Sequence, residues 1–116
     1  MAKRKVRLEL TEWLTRVCVT EKPPKSVVAY NVGLLETEGG YSAYLIGADE
    51  YDPNDGDWAC GEAFTPAERY CPIPANGFKG WEEVHAAVVA EVKAFLASAA
   101  GRKSFLTSAE ALTVGF

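Results

Sequence analysis

The sequence predicts an α+β fold, in which a small, mainly antiparallel sheet contains a central hairpin and has two helices packed on it. Three observations support this prediction. Apolar residues recur at helical spacing in two separate segments, two strand-like runs meet at a pair of glycines, and an alternating run closes the sequence. The order helix, hairpin, irregular segment, helix, strand fits a sheet with its helices on one face.

An apolar stripe predicts the first helix. Its members fall at i, i+3, i+4, i+7 and i+8, and they are Leu10, Trp13, Leu14, Val17 and Cys18. Pro23 and Pro24 end the helix near Glu21, because proline lacks an amide hydrogen and disfavours helical geometry in the residue before it. Two starts compete: a short strand over residues 6–10 followed by a helix from Glu12, or one longer helix.

Two strand-like runs follow, over residues 27–37 and 41–48. Both are rich in β-branched and aromatic side chains, which favour strands. Between them, Gly39 and Gly40 can take the positive φ angles of a type I′ turn, so we expect a β-hairpin. Apolar side chains occur on both faces of both runs. We therefore expect these strands to be central and partly covered by helices.

The middle of the chain is irregular in pattern. Residues 49–57 form a turn-rich loop, residues 58–64 a short segment, and residues 65–74 a proline-marked stretch. We assign no regular structure to the last of these.

The second helix and the last strand have clearer signals. From Trp81 the apolar residues keep helical spacing, Glu82 and Glu83 suit the positive end of a helix, and Gly101 predicts its end. Residues 111–116 alternate in polarity and predict a final strand.

Length and composition predict one domain over residues 1–116. The chain is 48% hydrophobic and 24% charged, which is ordinary for a globular protein. Residues 1–7 are basic and are interpreted as a flexible, solubilising tail. Glu9 and Glu12 interrupt what would be the apolar part of a secretory signal, and no apolar run approaches the roughly 20 residues of a membrane helix. We therefore expect a cytoplasmic protein without a membrane partner.

The three cysteines are Cys18, Cys60 and Cys71, an odd set without close spacing. This favours a reducing compartment. The alternative is a Cys60–Cys71 disulfide in an exported protein. Cys60 and Cys71 together with His85 offer only three zinc ligands and none of the short ligand pairs of zinc sites. We therefore expect no zinc.

No motif for catalysis or cofactor binding is present. His85, the single histidine, lies on the apolar stripe of the second helix and is interpreted as a core-edge residue donating one hydrogen bond. A calcium loop with Gly56 at its sixth position would place Tyr51 and Pro53 where oxygen ligands are required. No glycine-rich phosphate loop occurs, and the basic N-terminal cluster is too short for a nucleic-acid site on a chain of net charge -4. We expect no cofactor, metal or nucleic acid.

The distribution of charge is the most distinctive feature. Residues 26–68 contain no lysine or arginine and nine carboxylates. Clustered carboxylates attract basic partners, and aromatic residues can anchor an interface. The predicted partner-binding residues are therefore Asp49, Glu50, Tyr51, Asp52, Asp55, Asp57 and Trp58. In the competing interpretation the acids form a solvated loop and the aromatic residues belong to the core.

Four segments, VAYNVGLLE at 28–36, YLIG at 44–47, DWAC at 57–60 and LTVGF at 112–116, resemble small bacterial immunity-type proteins associated with toxin systems. The resemblance spans roughly residues 10–116 and transfers no individual functional residue. It implies a small cytoplasmic antagonist that binds a cognate toxin and blocks its active site or an essential surface. A basic partner protein, such as a toxin, is thus the expected partner.

Two other hypotheses compete with this one. An enzyme of unfamiliar type would combine the loop carboxylates with His85 and Cys60 in one pocket. An assembly domain would pair the edge of residues 111–116 with another copy of the chain.

Overall fold

The computed structural model of the protein describes residues 2–74 and 78–116, with side chains from Glu9 onward. The helices are α1 (Ala2–Thr20), α2 (Trp81–Ala97) and the short α3 (Ala99–Arg102). The strands are β1 (Ala29–Thr37), β2 (Gly40–Ala48), β3 (Tyr70–Pro74) and β4 (Ala111–Gly115). Two 3₁₀ turns span Gly56–Cys60 and Phe105–Ser108.

The four strands form one sheet in the order β3-β2-β1-β4. β2 pairs antiparallel with both β1 and β3, whereas β4 pairs parallel with β1. The parallel pair follows from the chain path, because β4 returns to the sheet through α2. The predicted α+β fold with a central hairpin is confirmed.

The turn of the hairpin differs from the predicted type. Thr37 pairs with Gly40, so Glu38 and Gly39 are the two central residues. A type I′ turn needs positive φ at both, but neither Glu38 nor Gly39 has a positive φ, whereas Gly40 has a φ of 157°. The type I′ prediction is therefore wrong. The positive φ occurs instead at Gly40, the first residue of β2.

The first helix is one continuous element from Ala2 to Thr20, so the alternative of a short strand over residues 6–10 is wrong. The reason lies in the helix stripe. Leu10 would end such a strand, yet it also begins the series in which Leu10, Trp13 and Leu14 are completely buried. Packing of that stripe outweighs a three-residue alternation.

β3 falls in the stretch for which no regular structure was predicted. Tyr70–Pro74 is an edge strand, and both Pro72 and Pro74 lie in it. Proline cannot donate a hydrogen bond to a sheet, but at an edge one side of the strand needs no donor. The prolines therefore protect this edge from pairing with other chains.

The second helix ends before Gly101, contrary to the prediction. α2 stops at Ala97, and the Ser98 hydroxyl then accepts a hydrogen bond from the Gly101 amide at 3.1 Å, capping α3. Gly101 lies within α3. A Cβ atom there would overlap the backbone of Phe95 and Leu96, so glycine allows the two helical segments to pack closely.

The sheet separates two hydrophobic clusters. The larger lies between the sheet and the helices and includes Trp13, Val32, Leu45, Val88 and Phe95. The smaller lies on the other side, which we call the open face, and consists of Ala29, Ile46, Ala48 and Trp58 with partly buried neighbours. The two faces of β1 and β2 are thus covered to different extents, the open face only where the loop after β2 folds back on it.

Within the described ranges, no helix is long and apolar enough to cross a membrane. All three cysteines are free, and Cys60 is exposed whereas Cys71 is buried. Cys71 belongs to the cluster under the helices, while Cys60 lines the open face. The alternative of a Cys60–Cys71 disulfide is therefore wrong.

Candidate protein-binding surface

The segment that follows β2, residues 49–58, carries all the predicted partner-binding residues and is called the acidic loop below. Its five carboxylate side chains are all exposed to solvent. They are Asp49, Glu50, Asp52, Asp55 and Asp57. The structure therefore brings the predicted acidic residues together on one surface loop.

Local hydrogen bonds fix the shape of this loop. One oxygen of Asp52 accepts from the Asn54 amide at 2.8 Å, and one oxygen of Asp55 accepts from the Asp57 amide at 3.0 Å. The Asp55 amide donates to the Asp52 carbonyl at 3.2 Å. Such side-chain-to-backbone bonds are the usual reason for Asp and Asn in tight turns. Two of the carboxylates thus order the loop that presents them.

The aromatic residues of the acidic loop face the sheet. Trp58 is only 7% exposed and packs with Ala29, Ile46 and Ala48 on the open face. Tyr51 packs edge-on against Trp58, with ring centroids 5.1 Å apart. The two rings therefore attach the loop to the sheet, and the carboxylates are the part of the predicted surface that faces solvent.

The described ion pairs lie outside the acidic loop. Arg16 binds both oxygens of Glu68, at 2.6 and 2.9 Å, and this lowers the pKa of Glu68. Arg69 forms an ion pair with Glu62. Within residues 9–74 and 78–116, no ion pair involves a carboxylate of the acidic loop. Because unpaired carboxylates repel one another, a cationic partner would relieve an existing cost.

A groove runs along the open face beside the acidic loop. It lies between the 3₁₀ turn Gly56–Cys60 and β4 and has a volume of about 400 Å³. Asn31 and Thr113 form part of its floor, where the Thr113 hydroxyl donates to the Asn31 side-chain oxygen at 2.9 Å. Gly56 lines the groove on the side opposite β4, and its two neighbours in sequence, Asp55 and Asp57, are exposed.

Tyr44 also lines the groove and lies over Gly33, its cross-strand neighbour. The guanidinium of Arg69 stands 5.8 Å from the ring centroid of Tyr44 and 5.5 Å from that of Tyr70. These contacts are cation–π interactions. Glu62 forms an ion pair with this arginine.

No protein-family model matches the chain, and comparisons with curated proteins and with solved structures find no match either.

The groups of the enzyme hypothesis lie on opposite sides of the sheet. His85 Nε2 is 3.1 Å from the Val114 carbonyl, which can only accept, so this nitrogen donates. Val114 packs with the cluster under the helices, whereas Trp58 fixes the acidic loop on the open face. The predicted single hydrogen bond of His85 is thus present. Within the described ranges, no three His, Cys, Asp or Glu residues are grouped to hold a metal ion.

Sequence reasoning did not identify the groove. Asn31 and Thr113 are far apart in sequence, and Tyr44, Tyr70 and Arg69 meet only through the pairing of β2 with β3. One local signal was available, since Asn31 is a polar residue in an otherwise apolar run. An amide within a buried strand needs a hydrogen-bond partner, which here is Thr113.

Proposed function

We propose that the chain is a noncatalytic binding protein, an immunity protein that neutralises a cognate toxin by presenting the acidic loop to a basic surface of that toxin. The single observation that supports this most strongly is the state of the five loop carboxylates, which are exposed, close in sequence and without ion pairs among the described residues.

Electrostatics explains how such a surface acts. Clustered carboxylates raise the rate of encounter with a cationic partner and disfavour partners of like charge. The turns at Asp52 and Asp55 order the loop before binding, which lowers the entropy lost on association. Tyr51 and Trp58 support the loop from below, so binding leaves the core of the open face intact.

Blocking a toxin requires only occupancy of an essential surface. A nuclease is one toxin class with a basic cleft, because its substrate has a charged phosphate backbone. Carboxylates spaced along a rigid loop can occupy such a cleft and exclude the substrate by charge and by volume. The same chemistry applies to other toxins whose essential surface is basic.

Co-expression in bacterial cells tests this proposal. The protein is used to capture its partner from native extract, and the captured protein is then expressed alone and together with the chain. We expect the captured protein to arrest growth and the chain to restore it. The double variant Asp52→Lys, Asp55→Lys should fail to restore growth.

The matched control is Glu36→Lys, Glu38→Lys. This variant changes the net charge equally, but it lies near the hairpin turn, at the opposite end of β2 from the acidic loop. Equal protection by both variants would contradict a role for the acidic loop. A captured protein that is harmless when expressed alone would contradict the immunity function.

A further inference from the structure

The two edges of the sheet differ in their capacity to accept another strand. β3 contains Pro72 and Pro74, which lack amide hydrogens. β4 contains neither proline nor a charged residue, the usual devices that block an edge. Its outer side has no strand partner within the described residues, and all five of its residues are partly exposed. The unprotected edge is therefore β4.

The open-face side of this strand also lines the groove beside the acidic loop. Thr113 and Gly115 line the groove from β4, and Gly56 lines it from the 3₁₀ turn opposite. The open-face side of a strand added outside β4 would therefore continue the surface that carries this groove and the acidic loop. β4 and the acidic loop thus both contribute residues to this groove.

From this geometry we infer that the β4 edge binds an extended segment of the partner protein in which apolar and basic residues alternate. The inference rests on the proposed function and specifies the partner's binding element. Side chains of an added strand point alternately to the two faces of the sheet. Those beside Thr113 and Gly115 lie on the open face, which also carries the acidic loop, and Lys or Arg is favoured there.

The other side chains of the added strand meet apolar surface. Leu112 and Val114 lie on the helix side of β4 and pack against the main cluster. Beyond them, Phe116 is 52% exposed and contacts Trp81, which is 51% exposed, with ring centroids 5.6 Å apart. Exposed aromatic residues of this kind are typical anchors of protein interfaces. Apolar residues at alternate positions of the partner strand fit here.

Charge argues against a second copy as the occupant. Residues 111–116 contain no basic residue, so a second β4 would bring no cation to the carboxylates. Two copies paired through β4 about a twofold axis perpendicular to the sheet would place both acidic loops on the same side of an extended sheet. With a net charge of -4 on each chain, this adds repulsion.

Amide hydrogen exchange of the full chain tests the inference with a synthetic probe. The probe is a capped peptide of about eight residues, a typical strand length, in which valine and lysine alternate. Two control peptides have the same lysines and valines segregated into two blocks, or glutamate in place of lysine. We expect the alternating peptide to protect the amides of residues 111–115 and to bind about tenfold more tightly than either control.

Thr113→Lys tests the groove side of the edge. It places a cation on the groove floor and should weaken peptide binding about tenfold. Thr65→Lys makes the same chemical change at an exposed loop position outside the groove and should leave binding unchanged. If Thr113→Lys does not fold, the protection pattern of the unmodified protein still decides the question.

Failure of this inference is distinguishable from failure of the proposed function. Absence of peptide binding, binding without protection of residues 111–115, equal binding of the segregated peptide, or protection by self-association without peptide would each overturn the edge-strand inference. None of these results affects the partner capture that depends on Asp52 and Asp55, which tests the acidic loop separately.

Discussion

The ring of Tyr44 lies directly over Gly33 on the open face, so closely that a Cβ atom on Gly33 would overlap it. We expect Gly33→Ala to displace the ring and to lower the free energy of unfolding by about 1–3 kcal/mol, the usual cost of overpacking. Urea denaturation measures this change. In a Tyr44→Ala background the same substitution should cost much less. Equal costs in both backgrounds would contradict the contact.

Two other glycines form a matched pair. Gly101→Ala should destabilise the protein by at least about 2 kcal/mol, because the new Cβ atom meets backbone atoms that cannot move independently. Gly39→Ala adds a Cβ atom at a position where no other atom lies within 4 Å and where φ is not positive. It should be neutral or stabilising by up to about 1 kcal/mol, since alanine restricts the unfolded chain. Thermal and urea denaturation of both variants check this contrast, which a reversed order would refute.

The three thiols should react at different rates. Burial raises the pKa of Cys18 and of Cys71 to about 11, whereas Cys60 is exposed. Only the thiolate is nucleophilic, so iodoacetamide at mildly alkaline pH should label Cys60 first. Mass spectrometry should show a single label in the folded protein and three after denaturation. Rapid labelling of Cys71 in the folded protein would contradict its burial.

Burial of two of these thiols, Cys18 and Cys71, also predicts that the protein loses stability at high pH. Their pKa values rise from 9.0 in the unfolded reference to about 11, because burial disfavours the thiolate. Their contribution is therefore complete below pH 9 and is lost as the pH rises through about 11. Burial also raises the pKa of Tyr30 to about 12, which extends the loss to higher pH. Denaturation across this range should show a shallower decline for Cys18→Ala, Cys71→Ala, and an equal decline would count against the burial effect.

Local sequence patterns predicted the individual helices and strands better than the register and order in which the strands pair. The hairpin was predictable because two strand-like runs flank two glycines, but the turn geometry depends on the register that pairs Thr37 with Gly40. β3 was not predictable, because Pro72 and Pro74 argue against a strand unless it lies at an edge. Edge position is a property of the strand order, which no local pattern contains.

The candidate surface was predictable in part for a similar reason. Carboxylates in a turn-rich loop face water wherever the loop lies, so their exposure followed from composition. The orientation of Trp58 did not, because a tryptophan after acidic residues suits an interface as well as a core. Only the chain path shows that Ala29, Ile46 and Ala48 form an apolar site for its ring. The groove could not be predicted, because it forms only where β1 pairs with β4, and these two strands are distant in sequence.

The most direct test of the central claim is the affinity of the captured partner for three forms of the protein, measured by titration calorimetry at about 0.1 M and about 1 M salt. The screening length falls from about 10 Å to about 3 Å between these conditions. We predict that wild type and Glu36→Lys, Glu38→Lys bind with similar affinity and lose it at high salt, whereas Asp52→Lys, Asp55→Lys binds at least tenfold more weakly at low salt. Unchanged affinity of the Asp52→Lys, Asp55→Lys variant at low salt would contradict the proposal that the acidic loop is the binding surface.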